Sequence, residues 1–380
     1  MSKKLGIITY HSAYNYGSVF QAYALQQYLV NQFPGCQIKM INYRLEKQKE
    51  YYKIVRFQFG KMALIKDILQ LPILNKRITR SQKFENFINE KFLLTSEYTE
   101  PEEVYDIYSD FDIIISGSDQ IWNKHSCELH TNEWKYIYPY VLHNFSGTKI
   151  SYSSSLGGMR DEEMDKIIAD IALFDEVAMR EQSSAKYLSG KLDKQVLSVM
   201  DPTFLLDSKE WCRDFSLSDK DEGQYILFYS LNRDYASSLY TLKRVVEYAE
   251  NMHLRVKTIT PYEYLYDFRY NNVDNYCDAG PIEFLDLLKQ ARLVITDSYH
   301  GTALSINFNK NFFSVGINKK DARISELLAK LELTDRYIEH IDDLMSKYYE
   351  INDYTDVNRK LQSYIKQSKE YLLSNLKSAL

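Results

Sequence analysis

The sequence predicts an α/β protein with two doubly wound domains, each built on a parallel sheet that helices cover on both faces. Short apolar runs, typical of buried parallel strands, alternate with amphipathic segments that have helical spacing. This alternation starts again after residue 206, so the same pattern is present twice. The length of 380 residues also fits two domains of ordinary size.

Five apolar runs in the first half are predicted to be strands. They cover residues 5–9, 37–41, 111–116, 148–154 and 176–179. Segments rich in Gly, Ser and Asp follow the last three, and these residues favour loops over regular structure. We therefore expect strands whose carboxyl ends open into polar loops.

The second half repeats this order with strands and helices of similar length. Strands are predicted over residues 225–230, 256–260, 293–296 and 312–315, and helices over 235–251, 281–290, 302–308, 321–331 and 358–376. Residues 207–223 are polar and are predicted to be a linker, which places the domains at 1–206 and 207–380. We expect the last helix to pack back on the N-terminal domain, and ligands to bind in a cleft beyond the carboxyl ends of the strands.

Composition and charge exclude several classes of protein. Hydrophobic residues make up 45% and charged residues 26%, an ordinary globular balance, and a net charge of −5 argues against nucleic-acid binding through bulk charge. Four widely separated Cys fit neither a disulfide scaffold nor a zinc motif, so no metal is predicted. No apolar stretch reaches the roughly 18 residues of a membrane span. We expect a cytoplasmic protein.

Charge is concentrated in residues 47–91, which we predict to be a helical insertion in the N-terminal domain. This segment has 11 Lys and Arg against 4 Asp and Glu, a net charge of +7, which leaves −12 on the rest of the chain. Its apolar residues have roughly helical spacing. The segment is either a solvated helix whose apolar face is core, or an amphipathic surface that contacts an anionic inner membrane.

Two loops in the first half follow predicted strands and carry candidate binding residues. The first contains Asn15-Tyr16-Gly17-Ser18, where Gly17 permits a tight turn and Ser18 is predicted to cap the following helix, whose free N–H groups suit an anion. The second is Gly117-Ser118-Asp119-Gln120-Ile121-Trp122, whose acid, amide and indole suit hydrogen bonding and stacking. The alternative for this loop is a capped helix with Asp119 as the cap and Trp122 packed inward.

Two further loops carry cationic or titratable groups at strand ends. Arg180 follows the strand at 176–179, where a guanidinium can hold a carboxylate or phosphate, although an ion pair with Glu181 or a neighbouring acid is the alternative. His300 lies in the turn Thr296-Asp297-Ser298-Tyr299-His300-Gly301-Thr302, at the start of a helix. An imidazole there can donate to an anion or act as an acid or base.

Taken in order, these loops resemble the polysaccharide pyruvyl transferase family. The matching pieces are Asn15-Tyr16-Gly17-Ser18 with Gln21-Ala22-Tyr23-Ala24-Leu25, Gly117-Ser118-Asp119-Gln120-Ile121-Trp122, Ser153-Ser154-Ser155-Leu156-Gly157, Arg180-Glu181, Asp201-Pro202-Thr203, Asp278-Ala279-Gly280-Pro281 and Asp297-Ser298-Tyr299-His300-Gly301. The ordered set is more specific than any single piece.

The resemblance implies a glycosyltransferase-B-like fold of two Rossmann-like domains facing a cleft. It also implies transfer of the pyruvyl group of phosphoenolpyruvate, used as co-substrate without another cofactor, to sugar hydroxyls as a cyclic ketal. Arg180 and His300 are then the catalytic residues. The implied donor-binding residues are Arg180, Ser298, His300, Gly301, Thr302, Arg323 and Lys319. The implied acceptor-binding residues are Tyr14, Asn15, Tyr16, Gly17, Ser18, Ser118, Asp119, Gln120 and Trp122.

One position departs from the family pattern, and two other functions remain open. Some members have Arg where this chain has Ser298, so we expect Arg323 or Lys319 to complete the anion clamp. The acceptor is expected to be a capsule or other cell-surface sugar, with a lipid-linked oligosaccharide as one form. The alternatives are a glycosyltransferase that uses a nucleotide sugar and a non-catalytic sugar-binding protein.

Overall fold

A computed structural model describes residues 2–53, 68, 71–219, 223–260, 270–316, 321–351 and 353–380. The chain forms two compact units. The first comprises Met1–Lys53, Glu85–Leu205 and Gln362–Leu380, and the second comprises Ile54–Phe84 and Leu206–Leu361. The main boundary between the units lies between Leu205 and Leu206, one residue before the predicted boundary. Residues 71–84 group with the second unit instead of the first, and the C-terminal residues from Gln362 group with the first.

The first unit is built on a five-stranded parallel sheet. Its strands are β1 (Lys4–Ile8), β2 (Gln37–Tyr43), β3 (Leu94–Tyr98), β4 (Ile113–Ser116) and β5 (Thr148–Ser151), in the order β3-β2-β1-β4-β5. The short strands β6 (Ala178–Met179) and β7 (Leu197–Ser198) pair with each other, and bridges at Glu176 and Met179 join them to the β5 side. Five of these strands, β1, β2, β4, β5 and β6, were predicted from buried apolar runs. Strand β3 was missed because its side chains, in the sequence LTSEY, are polar and half-exposed.

Helices cover this sheet and connect its strands. They are α1 (Tyr16–Gln32), α2 (Glu46–Tyr52), the part of α3 (Leu74–Lys91) from Glu85 onward, α4 (Pro101–Ile107), α5 (Asp161–Met164), α6 (Ile168–Ala172) and α7 (Gln182–Leu192). In α1, all but four of the 17 residues are buried. This helix therefore lies in the core, and its first turn has a fixed position at the edge of the sheet.

The second unit repeats this architecture with six parallel strands. They are β8 (Tyr225–Tyr229), β9 (Arg255–Ile259), β10 (Val273–Asn275), β11 (Leu293–Thr296), β12 (Phe312–Val315) and β13 (Tyr337–Ile338), in the order β10-β9-β8-β11-β12-β13. The predicted strands correspond to the fully buried centre, β8, β11 and β12, with β9 beside them. The two strands that the sequence did not reveal, β10 and β13, lie at the edges.

The helices of the second unit are α8 (Ser208–Phe215), α9 (Tyr235–Asn251), α10 (Pro281–Gln290), α11 (Tyr299–Asn307), α12 (Ala322–Lys330) and the first part of α13 (Thr355–Ala379), whose residues from Gln362 group with the first unit. Helices α9, α10 and α12 begin within one residue of the predicted positions, and α11 and α13 begin three residues earlier than predicted. The linker predicted at 207–223 is wrong for residues 208–215. Asp207 caps α8 by accepting a hydrogen bond from the Glu210 backbone, and Trp211 is fully buried.

Within the described residues, none of the helices has the length and apolar character needed to cross a membrane. Part of the basic segment at 47–91 lies outside the described residues. Its described ends are helical, in α2 and α3, while Ile68 and Leu71 are more than half exposed.

Candidate functional site

In the first unit, the polar loops after β1 and β4 lie at the topological switch point of the sheet. Chain connections diverge there, which leaves a crevice at the carboxyl ends of the two strands. The Thr9 hydroxyl donates to the Ser118 carbonyl across 2.8 Å and so joins the two loops. Gln21 of α1 reinforces this link, because its amide donates to Thr9 Oγ1 at 2.9 Å and accepts from the Ser118 backbone N–H at 3.2 Å.

The start of α1 is fixed by Asn15, not by Ser18 as predicted. Asn15 accepts a hydrogen bond from the Gly17 backbone at 3.0 Å and donates from Nδ2 to Glu128 Oε1 at 2.9 Å. The Ser18 hydroxyl instead donates to Asp119 Oδ2 at 2.7 Å, inside the protein. The first and second predicted loops are therefore brought together by side-chain contacts.

The segment after β4 is a series of turns, so the capped helix considered for it is wrong. Gly117 has a φ of +134°, and a Cβ there would lie 2.1 Å from the Tyr152 carbonyl oxygen, so only glycine fits. Trp122 is fully buried, donates from Nε1 to the Tyr140 carbonyl at 2.9 Å and meets Phe174 edge-on. The expectation that Trp122 stacks on a sugar is therefore wrong, and the inward-packed alternative is the one observed.

Exposure separates the predicted acceptor residues into two groups. Tyr14, Asn15 and Gln120 are half-buried and accessible to a ligand. Those buried within the unit are Tyr16, Gly17, Ser18, Ser118, Asp119 and Trp122. The buried group shapes the loop, and only the half-buried group has substantial side-chain surface exposed to solvent.

A carboxylate that sequence reasoning missed lies beside this loop. Glu128 is 7% exposed and accepts from Asn15 Nδ2 through one oxygen and from the Tyr52 hydroxyl through the other, both at 2.9 Å. The ring of Tyr52 stacks on Tyr14 with centroids 4.3 Å apart. Burial, followed by the Glu128 charge, raises the pKa of Tyr52 well above its ordinary value. Glu128 had no motif to mark it, because it lies in a turn-rich stretch without periodicity.

Arg180 forms the ion pair that was considered as the alternative to an anion clamp. Its Nε lies 3.1 Å from Glu181 Oε1 and its Nη1 lies 3.3 Å from Asp201 Oδ2, with the arginine side chain only 2% exposed. Asp201 also accepts from Thr203, through both its backbone N–H and its hydroxyl, and from the Ser118 hydroxyl. Arg180 thus ties the β6 end to the loops of the switch point, and the structure gives no support to a direct role on an anion.

The second unit has the same arrangement at its own switch point, between β8 and β11. Asp297, directly after β11, accepts from Ser230 Oγ at 2.6 Å and from the backbone N–H groups of Leu231 and Asn232 at 2.7 and 3.2 Å. Burial raises the pKa of the Asp297 carboxyl, and these three hydrogen bonds act against that rise. Ser230 was not recognised from the sequence because it ends a strand without any motif.

His300 lies in the first turn of α11, where the sequence analysis placed it. Ser298 caps the helix by accepting from the Gly301 backbone at 3.3 Å, and Thr302 Oγ1 donates to the Ser298 carbonyl at 3.0 Å. A Cβ at Gly301 would lie 2.6 Å from Thr296 Oγ1, so the helix start packs directly on the end of β11. His300 is 7% exposed, with its ring edge-on to Tyr299.

Of the two cations expected to complete an anion clamp, the structure describes one, Arg323. Arg323 donates to both carboxylate oxygens of Asp321, at 3.1 and 2.6 Å, and Asp321 is also the cap of α12. Arg323 is therefore held by its own helix start. Lys319 lies outside the described residues.

Solved structures of the same architecture match this chain over nearly its full length. UDP-GlcNAc 2-epimerase from Neisseria meningitidis, bound to UDP-GlcNAc, gives a TM-score of 0.57 at 11% identity and covers 98% of this chain and 100% of its own. The S. aureus MnaA–UDP structure gives 0.55 at 11%, covering 99% and 98%. The glycotransferase of kitacinnamycin gives 0.50 at 11%, covering 100% and 98%. The chain therefore has a GT-B-like fold of two Rossmann-like domains, as predicted.

Within that class, the sequence defines the family. The family model for polysaccharide pyruvyl transferase matches residues 15–319, most of the chain, and the protein belongs to this family. No curated protein matches the sequence. The resemblance inferred from the ordered loop motifs is confirmed, and the chain is a transferase of polysaccharide pyruvylation.

Proposed function

We propose that the protein transfers the pyruvyl group of phosphoenolpyruvate to a sugar and releases inorganic phosphate. Family membership supports pyruvyl transfer. The observation that carries the donor assignment is the start of α11, where His300 and the helix N-terminus follow β11 at the switch point. Free backbone N–H groups at a helix start favour an anion, and phosphoenolpyruvate has two anionic groups.

The reaction needs both an acid and a base. A proton adds to the methylene carbon of phosphoenolpyruvate, while one sugar hydroxyl loses its proton and bonds to the carbon that bears the phosphate. The second hydroxyl then loses its proton and bonds to the same carbon as the carbon–oxygen bond to phosphate breaks. The product is a cyclic ketal, and the phosphate leaves with the bonding electrons.

His300 is assigned the acid role in this scheme. Its ring lies next to the helix N-terminus and within the turn fixed by Ser298 and Gly301. A positioned imidazole is the side chain most often used for proton transfer near neutral pH. Because Arg180 and Arg323 are committed to carboxylates, we assign them to holding the loops, not to the donor.

The first unit is assigned to the acceptor. Tyr14, Asn15 and Gln120 offer a phenol ring, an amide and a second amide at the carboxyl edge of the sheet. An aromatic face with amides suits a sugar, since the ring packs on C–H groups while the amides bond to hydroxyls. The acceptor is a sugar destined for a cell-surface polysaccharide such as capsule, and the transfer takes place in the cytoplasm.

A lipid-linked acceptor at the inner membrane face extends this proposal. Residues 71–84 contain Lys76, Arg77, Arg80 and Lys83 and no acidic residue, and Leu71 is exposed beside them. Flotation with anionic vesicles tests the extension. We expect binding that is lost in the Arg77→Gln/Arg80→Gln protein, and equal flotation of both proteins would contradict it.

Phosphate release tests the proposed function directly. Purified protein is incubated with phosphoenolpyruvate and a panel of sugars, and both phosphate and acid-labile pyruvate on the sugar are measured. We expect acceptor-dependent release of phosphate in equal amount to the pyruvate transferred. His300→Gln keeps a hydrogen-bond donor but cannot deliver a proton, so it should bind phosphoenolpyruvate and lose turnover. The matched control is His340→Gln, which changes an exposed imidazole.

A nucleotide-sugar enzyme is the second candidate function. The solved structures that match the fold include MnaA with UDP and an epimerase bound to UDP-GlcNAc, and they motivate this candidate. It predicts binding of a nucleoside diphosphate and no release of phosphate from phosphoenolpyruvate. The family match favours the first candidate.

A further inference from the structure

The loops after β8 and β11 are joined by one carboxylate. The Asp297 carboxylate accepts hydrogen bonds from one hydroxyl and two backbone N–H groups of residues 230–232. Among the described residues, no Lys, Arg or His lies within ion-pair distance of Asp297. We call this set, Ser230 to Asn232 with Asp297, the latch.

The latch lies next to the proposed donor site at the start of α11, so it can hold that site in position without contacting the donor. Asp297 lies three residues before His300 and directly before Ser298, the cap of α11. On the other side, Asn232 donates from Nδ2 to Ser237 Oγ at 3.1 Å, near the start of α9. The starts of two helices, α9 and α11, are therefore held to the same carboxylate across the switch point.

We propose that Asp297 is a positioning residue of the donor site, which holds the β8 loop against the start of α11 so that His300 meets phosphoenolpyruvate in a fixed geometry. This inference rests on the proposed function. Hydrogen bonds to a charged group are stronger than neutral ones, and two of the donors here are backbone groups that no side-chain change can replace. Loss of the carboxylate should therefore disturb the position of the donor-site loop more than it lowers the stability of the whole protein.

The Asp297→Asn protein tests the proposal. An asparagine side chain has the same shape as aspartate, but its N–H₂ group cannot accept the hydrogen bonds that one carboxylate oxygen accepts. We expect the KM for phosphoenolpyruvate to rise by on the order of tenfold, with the acceptor KM unchanged. The matched control is Asp286→Asn on α10, where the carboxylate accepts a single backbone hydrogen bond, from Ser218 at 2.8 Å. This control should keep the wild-type KM.

Two further measurements keep the proposal falsifiable. Hydrogen exchange of a peptide covering residues 230–235, without any ligand, should be faster in Asp297→Asn than in wild type. Ser230→Ala removes one of the three hydrogen bonds and should raise the same KM by a smaller factor, even if Asp297→Asn folds poorly. An unchanged KM, or a fall in kcat and melting temperature alone, would overturn the positioning role.

The exchange measurement separates this inference from the proposed function. If the amides of 230–235 exchange at the wild-type rate in Asp297→Asn, the latch is wrong whatever the donor is. If wild-type protein binds no phosphoenolpyruvate, the proposed function fails and the donor role of Asp297 fails with it, whereas faster exchange would still establish the latch.

Discussion

Arg180 and Asp201 form an ion pair inside the first unit, with Nη1 of the arginine 3.3 Å from Oδ2 of the aspartate and neither side chain more than 2% exposed. Glu181 and Ser118 complete the cluster. The ion pair joins two of the family-like motifs, Arg180-Glu181 and Asp201-Pro202-Thr203. These motifs therefore have a structural role in the first unit.

Removing the arginine should destabilise the protein strongly. Arg180→Ala leaves two buried carboxylates without their cation, and we expect the free energy of unfolding to fall by about 3–5 kcal/mol. Urea denaturation of both proteins measures this. The control is Arg213→Ala, whose guanidinium is mostly exposed in its pair with Asp214, so its removal should cost far less stability. Equal losses in the two variants would contradict a structural role for Arg180.

Gly117 should tolerate no side chain. Gly117→Ala places a Cβ against the Tyr152 carbonyl oxygen at a φ of +134°, so we expect a loss of at least about 2 kcal/mol in unfolding free energy. Gly190 in α7 has open space around its Cβ position, and Gly190→Ala should stabilise the helix by up to about 1 kcal/mol. Thermal melts of the two variants should therefore shift in opposite directions.

Asp297 should make stability depend on pH in a defined direction. Its pKa is raised in the folded protein, so the folded state holds the proton more tightly than the unfolded state. The stability that this carboxyl contributes is present below its ordinary pKa of 3.8 and is lost as pH rises through the folded value, by at most about 1.4 kcal/mol per pH unit. Unfolding of wild type and Asp297→Asn at pH values from about 4 upward measures it. If the unfolding free energies of the two proteins change with pH in parallel, the pKa of the Asp297 carboxyl is the same in the folded and unfolded states, and the prediction is wrong.

His11 should act in the opposite sense. Its ring is fully buried, with Nε2 2.9 Å from Asn42 Oδ1, and burial lowers its pKa from 6.5. Because the unfolded chain binds the proton more readily, stability is lost as pH falls below 6.5. His11→Gln removes this loss, so its stability should fall less between neutral and mildly acidic pH. A wild-type curve no steeper than that of the variant would refute the assignment.

Much of the fold could be predicted because strands buried in a parallel sheet have short, continuous apolar sequences. Strands β8 and β11 are fully buried, and both were found. Edge strands such as β3 and β10 carry polar, half-exposed side chains, so their sequences resemble loops. Helix α8 was missed for a related reason, since six of its eight residues are not buried and its capping box lies in a polar stretch.

The position of His300 at a helix start after a buried strand could be predicted, because a motif and a strand end coincide there. The roles of individual residues were harder, because composition does not show which way a side chain points. Trp122 and Arg180 both follow strands of the first unit and both suit a ligand, yet each is buried among protein groups. Glu128 and Ser230 became visible only through their hydrogen-bond partners, Asn15 and Asp297, which are distant in sequence.

Calorimetry tests the central claim, the identity of the donor, most directly. Wild-type protein is titrated with phosphoenolpyruvate and, separately, with UDP-GlcNAc. The account predicts saturable binding of phosphoenolpyruvate that is weakened at least about tenfold in Asp297→Asn, and no binding of UDP-GlcNAc. Binding of UDP-GlcNAc with no heat from phosphoenolpyruvate would contradict it and establish a nucleotide-sugar enzyme instead.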